Sequence, residues 1–219
     1  MRPIFVSLIL SFTLIFTLGW GDRAMAIEKP DYTVVLTDEK FEIRDYPEMV
    51  LAEVTVTGDR DKAANRGFRK LAAFIFGDNQ PNAKIDMTSP VMQTPQIAED
   101  AKSEKIAMTA PVMQTPDENG QWVVNFMMPA EYSMETLPKP TDDDIRIFKT
   151  KPYRTVSIRF SGRGTMKNLK KQQAKLDNFV KEQGLVVTGG PEYAFYNPPI
   201  VPPMFRRNEV HYRVSAPSN

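Results

Sequence analysis

The chain has 219 residues, of which 42% are hydrophobic and 25% charged, and its formal net charge is +1. That composition suits one globular domain, and a neutral balance with no like-charge tail offers no basic excess for electrostatic capture by nucleic acid. Cys is absent, which excludes disulfides, thioether attachment of a cofactor, a thiol nucleophile and a lipidated N-terminal Cys.

Residues 1–26 have the make-up of a targeting segment. Arg2 is a short positive region, Ile4 to Trp20 is an uncharged apolar run, and Ala24-Met25-Ala26 is a small-x-small cleavage signature. The expectation is export with cleavage after Ala26, to the periplasm, leaving 27–219 as a single domain. Loss of Arg2, Arg23 and Asp22 leaves 26 basic and 26 acidic residues. The alternative is an uncleaved membrane anchor, because a run of about 17 residues is the shortest that spans a bilayer.

Strands are predicted at FEIRDYP (41–47) and MVLAEVTVTG (49–58). In the second, Val50, Ala52, Val54 and Val56 share one face, the period of a half-buried strand. Asp59 can cap a helix that ends at Gly77, with Ala64, Phe68, Leu71, Ala72 and Ile75 as its inward stripe. Gly67 is a mild propensity cost within it.

Two near-identical phrases follow, KIDMTSPVMQTP (84–95) and KIAMTAPVMQTP (105–116), with ten of twelve positions shared at an offset of 21. Taken as a strand, the second copy turns Ile106, Met108, Ala110 and Val112 one way and Ala107, Thr109 and Pro111 the other. A Pro inside each copy implies an edge, a bulge or a strand end. The Met-rich face suits either core packing or a soft wall for a flat apolar ligand.

Next come the strand QWVVNFMMP (121–129) and the Pro- and Asp-rich break ETLPKPTDDD (135–144). IRIFKTKP and YRTVSIRFSG then repeat the opening strand pair at an offset of 104. A second helix starts from a Thr165 cap, with Met166, Leu169, Gln173, Leu176 and Val180 inward and Gly184 as its stop. EYAFYNPP and NEVHYRV close the chain. This duplication of strand, strand, helix, strands predicts two halves of one α+β domain with an antiparallel sheet or open barrel.

Catalytic constellations are scarce. His211 is the single His. It alternates with Glu209 and Arg213 against Val210, Tyr212 and Val214, so it reads as solvent-facing. One His leaves no triad, His-dependent zinc cluster or bis-His ligation. Asp142-Asp143-Asp144 reads as a solvated break without calcium-loop spacing, and no Gly-rich phosphate loop is present.

FEIRDYP, KIAMTAPV, FMMP before a Pro-rich break, and NPPIVPPMFRRNEV occur in that order between about Tyr32 and Val214. In these motifs the chain resembles the SOUL haem-binding protein family. The resemblance implies a distorted antiparallel β-barrel with two flanking helices and two pseudosymmetric halves. It implies a reversibly bound haem or other tetrapyrrole, held without covalent attachment and often without a strong axial ligand. The family's groove lies between the first helix and the Pro-rich region. On this chain it would use Asn65, Phe68, Arg69, Ala72 and Phe76 on one side. Met204, Phe205 and Arg206, with Arg207, would form the opposite lip. Apolar side chains would cover the ring and Arg would meet its propionates. His211 stands where the family has a large aromatic, and no His lies near the first helix. The expected function is a non-enzymatic carrier, buffer or scavenger. The alternatives are an enzyme acting on a lipophilic substrate in the same groove, or a ligand-free interaction module.

Overall fold

The computed structural model describes residues 27–81 and 103–215. The targeting segment and the first copy of the repeated phrase lie outside these residues. The elements in chain order are β1 (Thr33–Asp38), β2 (Phe41–Tyr46), β3 (Val50–Val56), α1 (Arg60–Phe76), β4 (Asn79–Gln80), β5 (Val112–Pro116), β6 (Trp122–Met127), β7 (Lys139–Pro140), β8 (Ile145–Lys149), β9 (Tyr153–Phe160), α2 (Met166–Glu182), β10 (Val187–Phe195) and β11 (Asn208–Val214).

Nine strands form one antiparallel sheet in the order β1-β2-β9-β11-β10-β5-β6-β3-β8, and β4 pairs with β7 apart from it. The order carries the duplication. The β2 strand pairs with β9, and its counterpart 104 residues on, β8, pairs with β3. Exchanging β2 with β8, β3 with β9, β5 with β10 and β6 with β11 maps the eight strands other than β1 onto themselves in reverse. The two halves are therefore pseudosymmetric and each lends its first strand to the other. Gly58 and Gly162, also 104 apart, take φ of +105° and +106° at the turn into each helix, a conformation open to Gly at little cost.

Both helices start from the expected caps. Asp59 Oδ1 accepts from the Lys62 N–H and Thr165 Oγ1 from the Asn168 N–H. Each helix packs one core against its sheet half. The first core joins Ala63, Leu71, Phe74 and Ile75 to the Val50–Val56 face, Val124 and Phe126. The second joins Leu169, Leu176 and Phe179 to Val156, Ile158 and Val210. Trp122 packs against both.

The inward stripe of α1 is rotated from the predicted one. Ala63, Gly67, Leu71 and Phe74 are buried with Ile75, Ala64 and Ala72 are half-buried, and Phe68 is exposed. Gly67 accounts for this. A Cβ there would lie 2.6 Å from Val124 Cγ2, so its missing side chain lets the helix settle on β6 along that line. On α2, Gln172 is buried and Gln173 only half-buried.

The second copy of the repeated phrase is a strand only in part. Residues 105–111 run irregularly, and β5 begins at Val112, directly after a cis Ala110–Pro111 bond. Pro111 marks the strand end that its sequence implied. Alternation fails before it: Ile106, Thr109, Ala110 and Pro111 are all buried. Thr109 donates its hydroxyl to the Met127 carbonyl at 2.6 Å, and the Ala110 N–H donates to the Glu28 carbonyl.

The sheet is curled rather than closed, with β1 and β8 as its two edges. Its curl is visible on the face away from the helices. There Tyr46 of β2, Leu51 of β3, Met113 of β5, Met127 of β6, Tyr153 of β9 and His211 of β11 line one small cavity. Strands far apart in sheet order thus meet across an interior, as in a distorted barrel.

Candidate functional site

The predicted ligand-facing side chains occupy two surfaces. Along the outer flank of α1, Asn65 and Arg69 are exposed and Ala72 half-buried. Phe68 is 37% and Phe76 58% exposed. Phe68 is fixed from below by an edge-to-face contact with the buried Phe126 ring at 5.5 Å. Arg69 has no hydrogen-bond or ion-pair partner among the described residues. Its neighbour Lys70 is committed to Asp142 at 2.8 Å and Asp144 at 2.6 Å, which answers the charge of the Asp run.

The Pro-rich segment forms the second surface. Ile200, Met204 and Phe205 stand 88%, 69% and 73% exposed. The segment is held in shape from within: Arg206 Nε donates to the Val201 carbonyl at 2.7 Å, and Arg206 Nη2 to that of Pro199. Much of Arg206 hydrogen bonding is therefore spent on shaping the loop. The lip is tied to the start of α1 through the β9–α2 loop. Gly162 N–H donates to the Pro203 carbonyl, and Arg60 Nη1 donates to the Gly164 carbonyl at 2.7 Å. Among the described residues no hydrogen bond or ring contact joins Asn65, Phe68, Arg69, Ala72 or Phe76 directly to Met204, Phe205 or Arg206.

Arg207 and His211 are placed differently from expectation. Both belong to a buried polar cluster around Glu209, which is 0% exposed. The Glu209 carboxylate accepts from Arg44 Nη1 at 2.7 Å and Nη2 at 3.2 Å, Arg207 Nε at 2.8 Å, Tyr196 OH at 2.9 Å and His211 Nε2 at 2.7 Å. Burial works to raise the carboxyl pKa, but hydrogen bonds from His211 and Arg44 and the charge of Arg44 outweigh it and hold the group well below the carboxylate range. Burial opposes the charge on Arg44 too, and Glu209 restores it.

The solvent-facing reading of His211 is thus corrected. β11 lies between β9 and β10 in the sheet, so its polar face turns into the curl of the sheet and not toward water. Arg207 likewise serves the interior, stacked 4.1 Å from the Tyr196 ring. The signal in the sequence was complementarity between distant strands: Arg44 in FEIRDYP and Glu209 in NEVHYRV occupy the same kind of inward position.

The model of the family described as SOUL heme-binding protein matches residues 27–102 and 96–213. The chain belongs to the SOUL haem-binding protein family. The two matched stretches contain one copy of the repeated phrase each. Among curated SOUL-type relatives, human heme-binding protein 2 is 28% identical over 173 residues, covering 78% of this chain and 76% of that protein. Heme-binding protein 1 of Xenopus tropicalis is 28% identical over 173 residues, covering 78% and 82%. A solved structure described as a hydrolase from Listeria innocua aligns with TM-score 0.52 at 16% identity, covering 83% and 94%. At that identity it shows a shared fold alone.

Proposed function

We propose that the protein is an exported, non-enzymatic binder of haem or a related tetrapyrrole that acts as carrier, buffer or scavenger. Export to the periplasm rests on the apolar run and Ala-x-Ala signature of residues 1–26. Binding rests on SOUL membership together with the exposure of four large apolar side chains, Phe68 and Phe76 on the helix that carries Arg69, and Met204 and Phe205 on the Pro-rich lip; Arg69 has no partner among the described residues. Leaving such side chains in water forgoes roughly 1.5–3 kcal/mol each relative to burial, and a bound macrocycle would recover much of that.

The residues suit the group. A porphyrin is an apolar disc with two carboxylates at one edge, and enclosure plus a cation meets both needs without a reactive side chain. When bound, haem supplies iron for redox or ligand exchange. This chain would supply apolar cover from Phe68, Ala72 and Phe76 and from Met204 and Phe205. Arg69 would meet a propionate, with Asn65 hydrogen-bonding beside it, and Arg206 would hold the lip in shape.

The test is a haemin titration of wild type and Arg69→Glu, followed by the Soret band. Reversing the charge should weaken binding about ten-fold or more while leaving the unfolding transition in place. Equal affinity would remove Arg69 from the site.

A further inference from the structure

A second cavity system runs from one end of the sheet onto its face away from α1 and α2. Its outer chamber, about 290 Å³, opens beside the β2–β3 turn and the segment after β6. Its inner chamber, about 40 Å³, reaches His211. Pro30, Met49 and Met127 line both chambers, so the two are contiguous. Five of the ten Met beyond residue 26 line one or the other: Met49, Met113, Met127, Met128 and Met134. Met113 comes from the repeated phrase, whose Met108 goes instead to the α1 core.

The inner chamber has an aromatic wall and several polar groups. Tyr46 and Tyr153 stack at 5.2 Å with 11° between planes, and the Arg213 guanidinium caps Tyr153 at 4.3 Å. Arg213 is paired with Glu192 at 2.8 Å, so the charges of the inner wall are matched. His211 is different. Its Nε2 faces the Glu209 carboxylate, which only accepts, so that nitrogen carries hydrogen. In the neutral ring Nδ1 is then an acceptor, and it has no partner among the described residues.

We infer that this cleft is a second binding site, for a compact uncharged aromatic molecule that donates one O–H or N–H to His211 Nδ1. The methionine thioethers of the outer chamber favour an aromatic body, and the matched charges of the inner wall disfavour an ion at its donor end. The aromatic body would occupy the outer chamber, at the small end of the roughly 300–1,000 Å³ range of ligand pockets and too small for a porphyrin with its propionates, and only the donor group would reach into the inner chamber of about 40 Å³. The site is therefore separate from the tetrapyrrole surface on α1.

The test uses protein carrying ¹³C-methyl methionine, titrated with phenol and with toluene. Phenol should shift the Met49, Met113 and Met127 methyls along one saturable isotherm and leave Met166 and Met204 in place. Toluene, which lacks the donor, should bind about five-fold more weakly. Met134→Trp changes a 40%-exposed residue of the outer chamber and should block entry, while the methyl spectrum reports that the chain is folded. Saturating haemin should leave the phenol isotherm unchanged. Linear shifts, shifts spread equally to Met204, or displacement by haemin would overturn the site. Equal affinities for phenol and toluene would overturn the assignment of Nδ1 as acceptor.

Discussion

Glu209→Gln probes the cluster that holds the curled sheet together. The substitution keeps size and removes charge, so Arg44, 1% exposed, loses its charged partner in the interior. Removing one member of a buried ion pair costs about 3–5 kcal/mol. Arg44 keeps Glu42 on Nε at 2.7 Å, and that carboxylate is partly exposed, so the lower end of about 3 kcal/mol is expected. With a urea m-value near 2–3 kcal/mol/M, the midpoint should fall by about 1–1.5 M at constant m. The control is Asp45→Asn, which breaks the Arg154 pair at 2.6 Å in a half-exposed setting and should cost about 1 kcal/mol or less. A smaller midpoint shift for Glu209→Gln than for Asp45→Asn would refute the argument that the buried carboxylate organises the two halves.

Stability should also fall with acid. Folding holds the carboxyls of Glu209, Asp45 and Asp142 below their ordinary values, so their contribution is complete above the unfolded pKa near about 4. It is lost as pH drops through the lower folded values. Urea midpoints measured from pH 6 to pH 2 should show that loss, and Glu209→Gln should flatten it. At the alkaline end, burial raises the Tyr46 hydroxyl to about 12. Its contribution is complete below the unfolded value near about 10 and fades above it, which ultraviolet titration of the phenolate would follow. Gly67→Val should destabilise by roughly 3 kcal/mol in thermal melts, because its Cβ would overlap Val124. Phe76→Ser should leave the melting temperature nearly unchanged and weaken haemin binding several-fold, since this side chain is 58% exposed.

The elements of the fold were legible wherever local pattern and tertiary context agree. Caps at Asp59 and Thr165, the alternation of Val50 to Val56 and the 104-residue repeat all rest on short-range chemistry, and the structure keeps them. Where context overrides pattern, the reading failed in identifiable ways. His211 looked outward because charged neighbours usually mean water, yet a curled sheet has two interiors and the second one here is polar. The α1 stripe slipped because a missing side chain, Gly67, sets the contact line and periodicity counts only side chains that are present. Alternation across 105–111 broke because Thr109 and Ala110 bond to Met127 and Glu28, partners remote in sequence. Arg207 read as a lip residue by adjacency to Arg206, although the two point into different environments. Phe76, Met204 and Phe205 entered the candidate site through the family resemblance, and the structure leaves all three exposed.

The central claim is tetrapyrrole binding by apolar enclosure on α1 and the Pro-rich lip, and parallel titrations with haemin and metal-free protoporphyrin test it most directly. The account predicts one saturable site for each, with affinities within about ten-fold, and both weakened together by Phe76→Ser and Phe205→Ser. Unsaturable partitioning of haemin, or binding that ignores both substitutions, would contradict it.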